Sequence, residues 1–349
     1  MNTIFALFSF ILGILMNVQS LNAQFKETKS IPIQNVNGKF SADAIILDLS
    51  RTEITDDDLV VLIEFKRLKI LNLSYTKITD KGLTIIKDLN RLTFLDISNT
   101  MITDKGLKEL KDQKQLTTLD VWNTKVTGLG LKELTQLKEL NLTFTEMNDE
   151  ALKELHNLNK LTKLELKYTN ITDTGLKELK AFQNLKILDL KKTHVTDQGI
   201  SELKELRGLR NLSLLGMEVT GDTLKELKQL TSLDLTLSKV TDDGLKDIKN
   251  LQKLTRLYLS HTAVTDACLK ELKEMENLRI LDLRGTKVTD AGLSELKNLK
   301  QLTRLELGST KVTIAGIKAL SSELPDCTIV QSPFLGFGRY FQETLLKRR

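Results

Sequence analysis

Apolar residues along this chain follow two alternating rhythms. Around Leu164 they stand two apart, at Leu164 and Leu166, and then three apart, at Leu176, Leu179, Phe182 and Leu185. A period of two predicts a short strand with one buried face, and a period near three predicts a helical stretch behind it. Between them lies T-x-[IV]-T-D-x-G-L, here Thr169, Ile171, Thr172, Asp173, Gly175 and Leu176. Thr172 or Asp173 is placed to cap the first helical turn, the Asp being favoured by the positive end of the helix dipole. Gly175 predicts close packing at the strand-to-helix corner.

The pattern recurs from Leu47 to Leu305 in twelve copies, nine of the eleven steps being 24 residues. The other two, Leu119 to Leu140 and Leu212 to Leu233, are 21 residues and keep the three-residue spacing with one turn removed. A single copy has too few apolar positions to offset the entropy of ordering it, so the units must stack and complete each other's burial. Stacking in register predicts an α/β solenoid: one parallel sheet on the inside of a curve, helices outside.

The repeated L-x-x-L-x-L frame resembles the leucine-rich repeat proteins over about 44–330, and the resemblance implies a horseshoe with the sheet on its concave face. Where that family often has Asn, ten units here carry Thr, from Thr52 to Thr310, with Met217 and Ser238 as exceptions. The V-T-D-x-G-L variety is similar to bacterial repeats related to those of F-box and internalin-like proteins.

Four segments are expected. Residues 1–23, apolar from Ile4 to Met16, read as a signal peptide cut after Ala23, with an uncleaved anchor or a buried helix as alternatives. Residues 24–43 form an N-terminal cap, 44–330 the repeat array with a final strand near Thr328 and Ile329, and 331–349 an aromatic and basic tail that caps the array or docks elsewhere. The first unit departs from the pattern with Asp56, Asp57 and Asp58 ahead of Leu59 where later units have a Gly, and the last loses its Asp at Ile314.

Charge narrows the function. Lys and Arg number 51 against 46 Asp and Glu, and three of the five net positive charges belong to the tail, so the array is nearly balanced and no nucleic-acid partner is expected. The export signal implies a periplasmic, cell-surface or secreted protein with no transmembrane span in the mature chain. Cys268 and Cys327 lie about two and a half units apart, too far for a disulfide at about 4.8 Å per strand, and both are expected to be small buried residues. His156, His194 and His261 fall in different units, and no phosphate loop, metal-ligand spacing or nucleophile-histidine-acid set accompanies them. No cofactor and no enzymatic activity are expected.

Positions one and three after each marker Leu, and the one beyond, face the inner surface. The first is mostly acidic, from Asp48 to Glu306, and such a row must be balanced by neighbours such as Lys167, Lys191 and Arg284, by ions, or by a basic partner. The others gather Tyr75, Trp122, Phe144, Lys167, Tyr168, Lys191 and Lys192 in units two to seven. Exposed aromatic anchors beside charges mark a protein interface. The expected function is a non-catalytic scaffold binding a protein, or another cell-surface macromolecule, on its concave sheet. The alternatives are a substrate-recognition subunit of an F-box-like ubiquitin-ligase assembly and a structural envelope protein.

Overall fold

The computed structural model describes residues 30–36 and 39–331. The expected signal peptide, the start of the cap and the tail after Gln331 lie outside the described residues.

Thirteen parallel strands form one sheet, in strict chain order from Ile46–Asp48 to Thr328–Val330. Each strand is three residues long and pairs in register with the next, so Leu140 lies opposite Leu164 and Leu164 opposite Leu188. That register turns the L-x-L leucines into a continuous interior: Leu164, Leu166, Leu188 and Leu190 are all buried. The strands line the concave face and the helical segments the convex one.

The outer segments differ from the expected helices. In the unit that begins at Leu164, the α-helix Asp173–Leu176 is a single turn and continues as the 3-10 helix Lys177–Ala181. A 3-10 helix has three residues per turn, which is why Leu176, Leu179 and Phe182 can all point inward at a spacing of three. The short units go further. No helix stands between the strands Thr118–Asp120 and Glu139–Asn141, and only the 3-10 turn Leu224–Glu226 between Asn211–Ser213 and Ser232–Asp234. In both, a glutamine reaches back to the preceding unit: Gln136 Nε2 donates to the Gln113 carbonyl at 2.5 Å and Gln229 Nε2 to the Leu206 carbonyl at 3.2 Å.

Thr and Asp of the T-D pair divide their roles between units. Thr172 is the N-cap of its own helix, its hydroxyl accepting from the Thr174 N–H. Asp173 instead accepts from the next unit, from the Thr196 N–H and hydroxyl, each at 2.7 Å. Nine of the eleven junctions carry this clasp, and the two without it follow Gly128 and Gly221, which replace Asp in the short units. The clasp explains both odd ends. Unit twelve has no following threonine to hold, and Ile314, 67% exposed, stands where the Asp would be. Unit one has no preceding carboxylate, and Asp58 supplies one from its own chain, accepting from the Thr55 N–H at 2.8 Å, the Thr55 hydroxyl at 2.9 Å and Asn35 at 3.1 Å.

Asn35 belongs to a small antiparallel hairpin, Ser30–Pro32 with Lys39–Ser41, whose Ile31 is buried together with the neighbouring Ile33 against the first unit. Burial pushes the Asp58 carboxyl up, but its bonds from Thr55 and Asn35 outweigh this and leave it below the usual value. The carboxylate therefore stabilises the fold at neutral pH, and this contribution is lost as pH falls through the lowered value. Asp58→Ala is expected to reduce stability by about 1–2 kcal/mol, read in thermal unfolding at neutral pH, with the deficit shrinking in acid.

Candidate functional site

The strand residues at positions one and three from each marker Leu share the concave surface, because side chains alternate across a strand. Acidic and amide residues at the first position make a local bond. Asp120 Oδ1 accepts the Trp122 N–H at 2.9 Å, and Asp96, Asn141 and Asp189 do the same for Ser98, Thr143 and Lys191. Each such bond turns the chain out of the strand. The fourth residue after the marker then takes a left-handed conformation in all twelve units, with φ between 52° and 59° at the ten non-glycine residues and 70° and 67° at Gly216 and Gly285.

The strand pattern does not announce this turn, although Asn99, Asn123, Gly216 and Gly285 at that position are its signal. Left-handed backbone costs an ordinary L-residue roughly 1–2 kcal/mol, and Gly or Asn much less. Even so, Tyr75, Phe144 and Tyr168 occupy it with 40%, 46% and 39% of their surface exposed. Large apolar side chains held in a disfavoured conformation and pointed at solvent do not serve the core.

The turns raise a crest along which side chains meet. The Arg51 guanidinium lies 4.3 Å from the Tyr75 ring centroid. Tyr75 reaches past the short Asn99 to Trp122, with ring centroids 5.8 Å apart. Trp122 and Phe144 meet in a T-shaped pair with centroids 6.4 Å apart, and Phe144 stacks on Tyr168 at 4.1 Å with planes 8° apart. Lys191 Nζ closes the row 5.5 Å from the Tyr168 ring. Tyr75, Trp122, Phe144, Tyr168 and Lys191 thus form one row with a cation at each end.

Two of the sequence-derived residues sit differently. Lys167 is only 14% exposed and lies 3.4 Å from Glu165 Oε1 and 3.7 Å from Asp189 Oδ2, so it neutralises the acidic floor. Lys192 is exposed on the crest and leans over Gly216, where an added Cβ would come within 2.5 Å of its Cε.

Phe144→Asn isolates the cost of the conformation. Relief of the left-handed backbone, roughly 1–2 kcal/mol, offsets most of the loss of the two ring contacts, about 0.5–1.5 kcal/mol each, so thermal unfolding is expected to fall only slightly below the parent's while any binding through the row weakens.

Counter-ions are unevenly spread across the floor. Glu165 is met by Lys163 at 3.5 Å as well as Lys167, and Asp282 and Glu306 pair with Arg284 and Arg304. Asp96 and Asp120 have no ion pair among the described residues. Burial first, and then the neighbouring charge of Asp96, hold the Asp120 carboxyl up to about 7. Burial likewise raises Asp96, Asp189 and Asp234.

Other chemistry is sparse. Among the described residues no group of three or more His, Cys, Asp or Glu is placed to hold a metal ion. His156 Nε2 lies 2.9 Å from Glu178. Cys268 and Cys327 are free thiols; Cys268 is buried as expected, whereas Cys327, beside the last strand, is half-exposed, and burial raises its thiol to about 11. No described helix is long and apolar enough to cross a membrane.

Comparison with known proteins bears on the repeat. A family model described as Leucine Rich repeat matches seven segments: 68–84, 90–111, 133–155, 157–180, 183–204, 228–249 and 274–297. No curated protein matches the sequence. Among solved structures, an internalin from Listeria monocytogenes superposes with a TM-score of 0.64 at 21% identity, over 86% of this chain and 90% of that one. A plant peptide hormone receptor, RGFR1 in complex with RGF2, gives 0.53 at 19% identity, over 84% of this chain and 48% of the receptor. The ectodomain of the Arabidopsis thaliana receptor kinase GASSHO1/SCHENGEN3 gives 0.52 at 16%, over 82% of this chain and 41% of that one. These likenesses show a shared fold.

Proposed function

This chain belongs to the leucine-rich repeat family, and from that premise we infer that it is a non-catalytic scaffold of an exported protein, holding a protein partner on its concave sheet. Tyr75, Trp122, Phe144 and Tyr168 are the apolar anchors, Lys191 and Lys192 are polar contacts beside them, and Lys167 keeps the floor neutral under Tyr168. The observation that carries the reading is the crest: Tyr75, Phe144 and Tyr168, exposed and held in left-handed backbone, are joined through the half-buried Trp122 into one continuous row. Such rings provide a large, rigid contact area that loses little conformational freedom on binding. The plant receptor in complex with its peptide hormone supports a polypeptide ligand on this fold by analogy alone. Export rests on the leader and predicts a mature N-terminus at Gln24 outside the cytoplasm.

A photo-crosslinking residue at Asn123, exposed on the crest, compared with one at Lys177, exposed on the outer side, tests the surface. Partner adducts are expected from 123 and not from 177. Adducts formed mainly from 177 would move the interface to the convex face.

A further inference from the structure

The row of rings and the floor beneath it are not uniform, and the difference points to the chemistry of the occupant. At its ends the row already holds cations of this chain, Arg51 over Tyr75 and Lys191 beside Tyr168. The middle rings, Trp122 and Phe144, have none among the described residues. Asp96 and Asp120, under that middle stretch, stand side by side without an ion pair among the described residues, as do Asp48 and Asp234 singly elsewhere in the floor, and are held by neutral donors: Ser98 for Asp96, and the Trp122 N–H and Asn141 for Asp120.

Asp120 and Trp122 are two residues apart and so share a face, and Asp96 stands directly opposite Asp120 on the adjacent strand. Carboxyl groups without a counter-ion and an aromatic ring without a cation therefore meet at one place. Thr143, at the next unit's equivalent of Trp122, is 4% exposed and its Oγ1 has no hydrogen-bond partner.

Resting on the concave reading above, we propose that the row binds an extended basic segment of another polypeptide, with a lysine or arginine side chain seated against Trp122 over Asp96 and Asp120. One such cation gains an ion pair and a cation–π contact together. It also offsets the burial and the repulsion from Asp96 that keep the Asp120 carboxyl raised. From Tyr75 to Tyr168 the row crosses four strand spacings, roughly 19 Å, the length of about six residues of extended chain.

Trp122 is the only tryptophan in the chain, so its fluorescence reports on this site directly. The chain from Gln24 to Arg349 is titrated with an end-blocked hexapeptide alternating arginine and serine, with its glutamate–serine counterpart, and with cellohexaose. The basic peptide is expected to change the Trp122 emission saturably and to bind at least about tenfold more weakly in 0.5 M salt, where charge attraction is screened. The double variant Asp96→Asn, Asp120→Asn is expected to bind it at least tenfold more weakly while unfolding at the parent's temperature or above, because Asn72 and Asn141 already make the same turn bond at this position and the buried repulsion between the two carboxylates is removed.

An absent response to the basic peptide, or equal binding by the double variant, overturns the proposal. So does a tenfold gain on removing residues 332–349, which would make the chain's own basic tail the occupant. A response to the glutamate peptide or to cellohexaose that Tyr168→Ala abolishes refutes the basic occupant and leaves the concave site standing, whereas crosslinks from 177 refute the concave site itself.

Discussion

Gly175→Ala is expected to destabilise the protein by about 2 kcal/mol, and the same substitution in an Asp149→Gly background is expected to stabilise it by about 0.5–1 kcal/mol. The sign change follows from what a Cβ at 175 would meet. It would stand 2.3 Å from Asp149 Oδ1 and 3.0 Å from its Cγ, in the preceding unit. That carboxylate accepts from the Thr172 N–H at 2.9 Å and the Thr172 hydroxyl at 2.5 Å, so it must shift without letting go, as Asp242 does beside Cys268, where the clasp on Thr265 is kept with a side chain at the corner.

Gly175 has no positive φ, so the backbone accepts alanine, and with Asp149 gone the ordinary helical preference for Ala over Gly returns. The molecule already contains the relieved pair. Ala151 takes the corner position in unit five, and the unit before it has Gly128 in place of Asp. Chemical or thermal unfolding of the two single variants and the double variant checks this, and additive effects would separate the glycine from the clasp.

Trp122→Ala with Tyr168→Ala is expected to weaken partner binding at least about 100-fold, since buried aromatic anchors contribute about 2 kcal/mol or more each and tenfold is about 1.4 kcal/mol. Stability should fall by no more than about 1.5–4.5 kcal/mol, with the leucine core intact, so binding is compared at a temperature where both proteins are folded. Both rings lie on the surface rather than among the core leucines, and what the free protein loses is three ring contacts of about 0.5–1.5 kcal/mol each at most. The retained fraction of partner on immobilised parent and variant, beside their thermal unfolding, reads both effects.

Much of the fold is legible in the residues because register is over-determined. A one-residue slip would carry Leu164 and Leu166 to the solvent face, and twelve copies of the frame leave one way to stack them. The helix type is less legible: a three-residue spacing fits a poor α-helix or a good 3-10 helix, and only the structure separates Asp173–Leu176 from Lys177–Ala181. Asp173 illustrates a different limit. Its position beside a capping threonine suggests a local role, whereas its partner, Thr196, lies 23 residues away in the next unit. Asp58 and Ile314, the exceptions at the two ends, are the sequence's own signs of that partner.

The ring-bearing residues of the row can be named from the strand alternation. Their contact with one another cannot, because the left-handed turn that raises Tyr75, Phe144 and Tyr168 hides among ten non-glycine residues of nearly every chemical kind. The uneven distribution of counter-ions is equally hidden. Lys167 reads as a partner contact until its place between Glu165 and Asp189 is seen.

The most direct measurement of the central claim is acrylamide quenching of Trp122, made on the free protein and with its partner bound. A residue displayed on the concave row should be open to quencher when free and shielded once the partner is seated. Emission shielded in the free protein, or quenching that the partner leaves unchanged, would contradict the account.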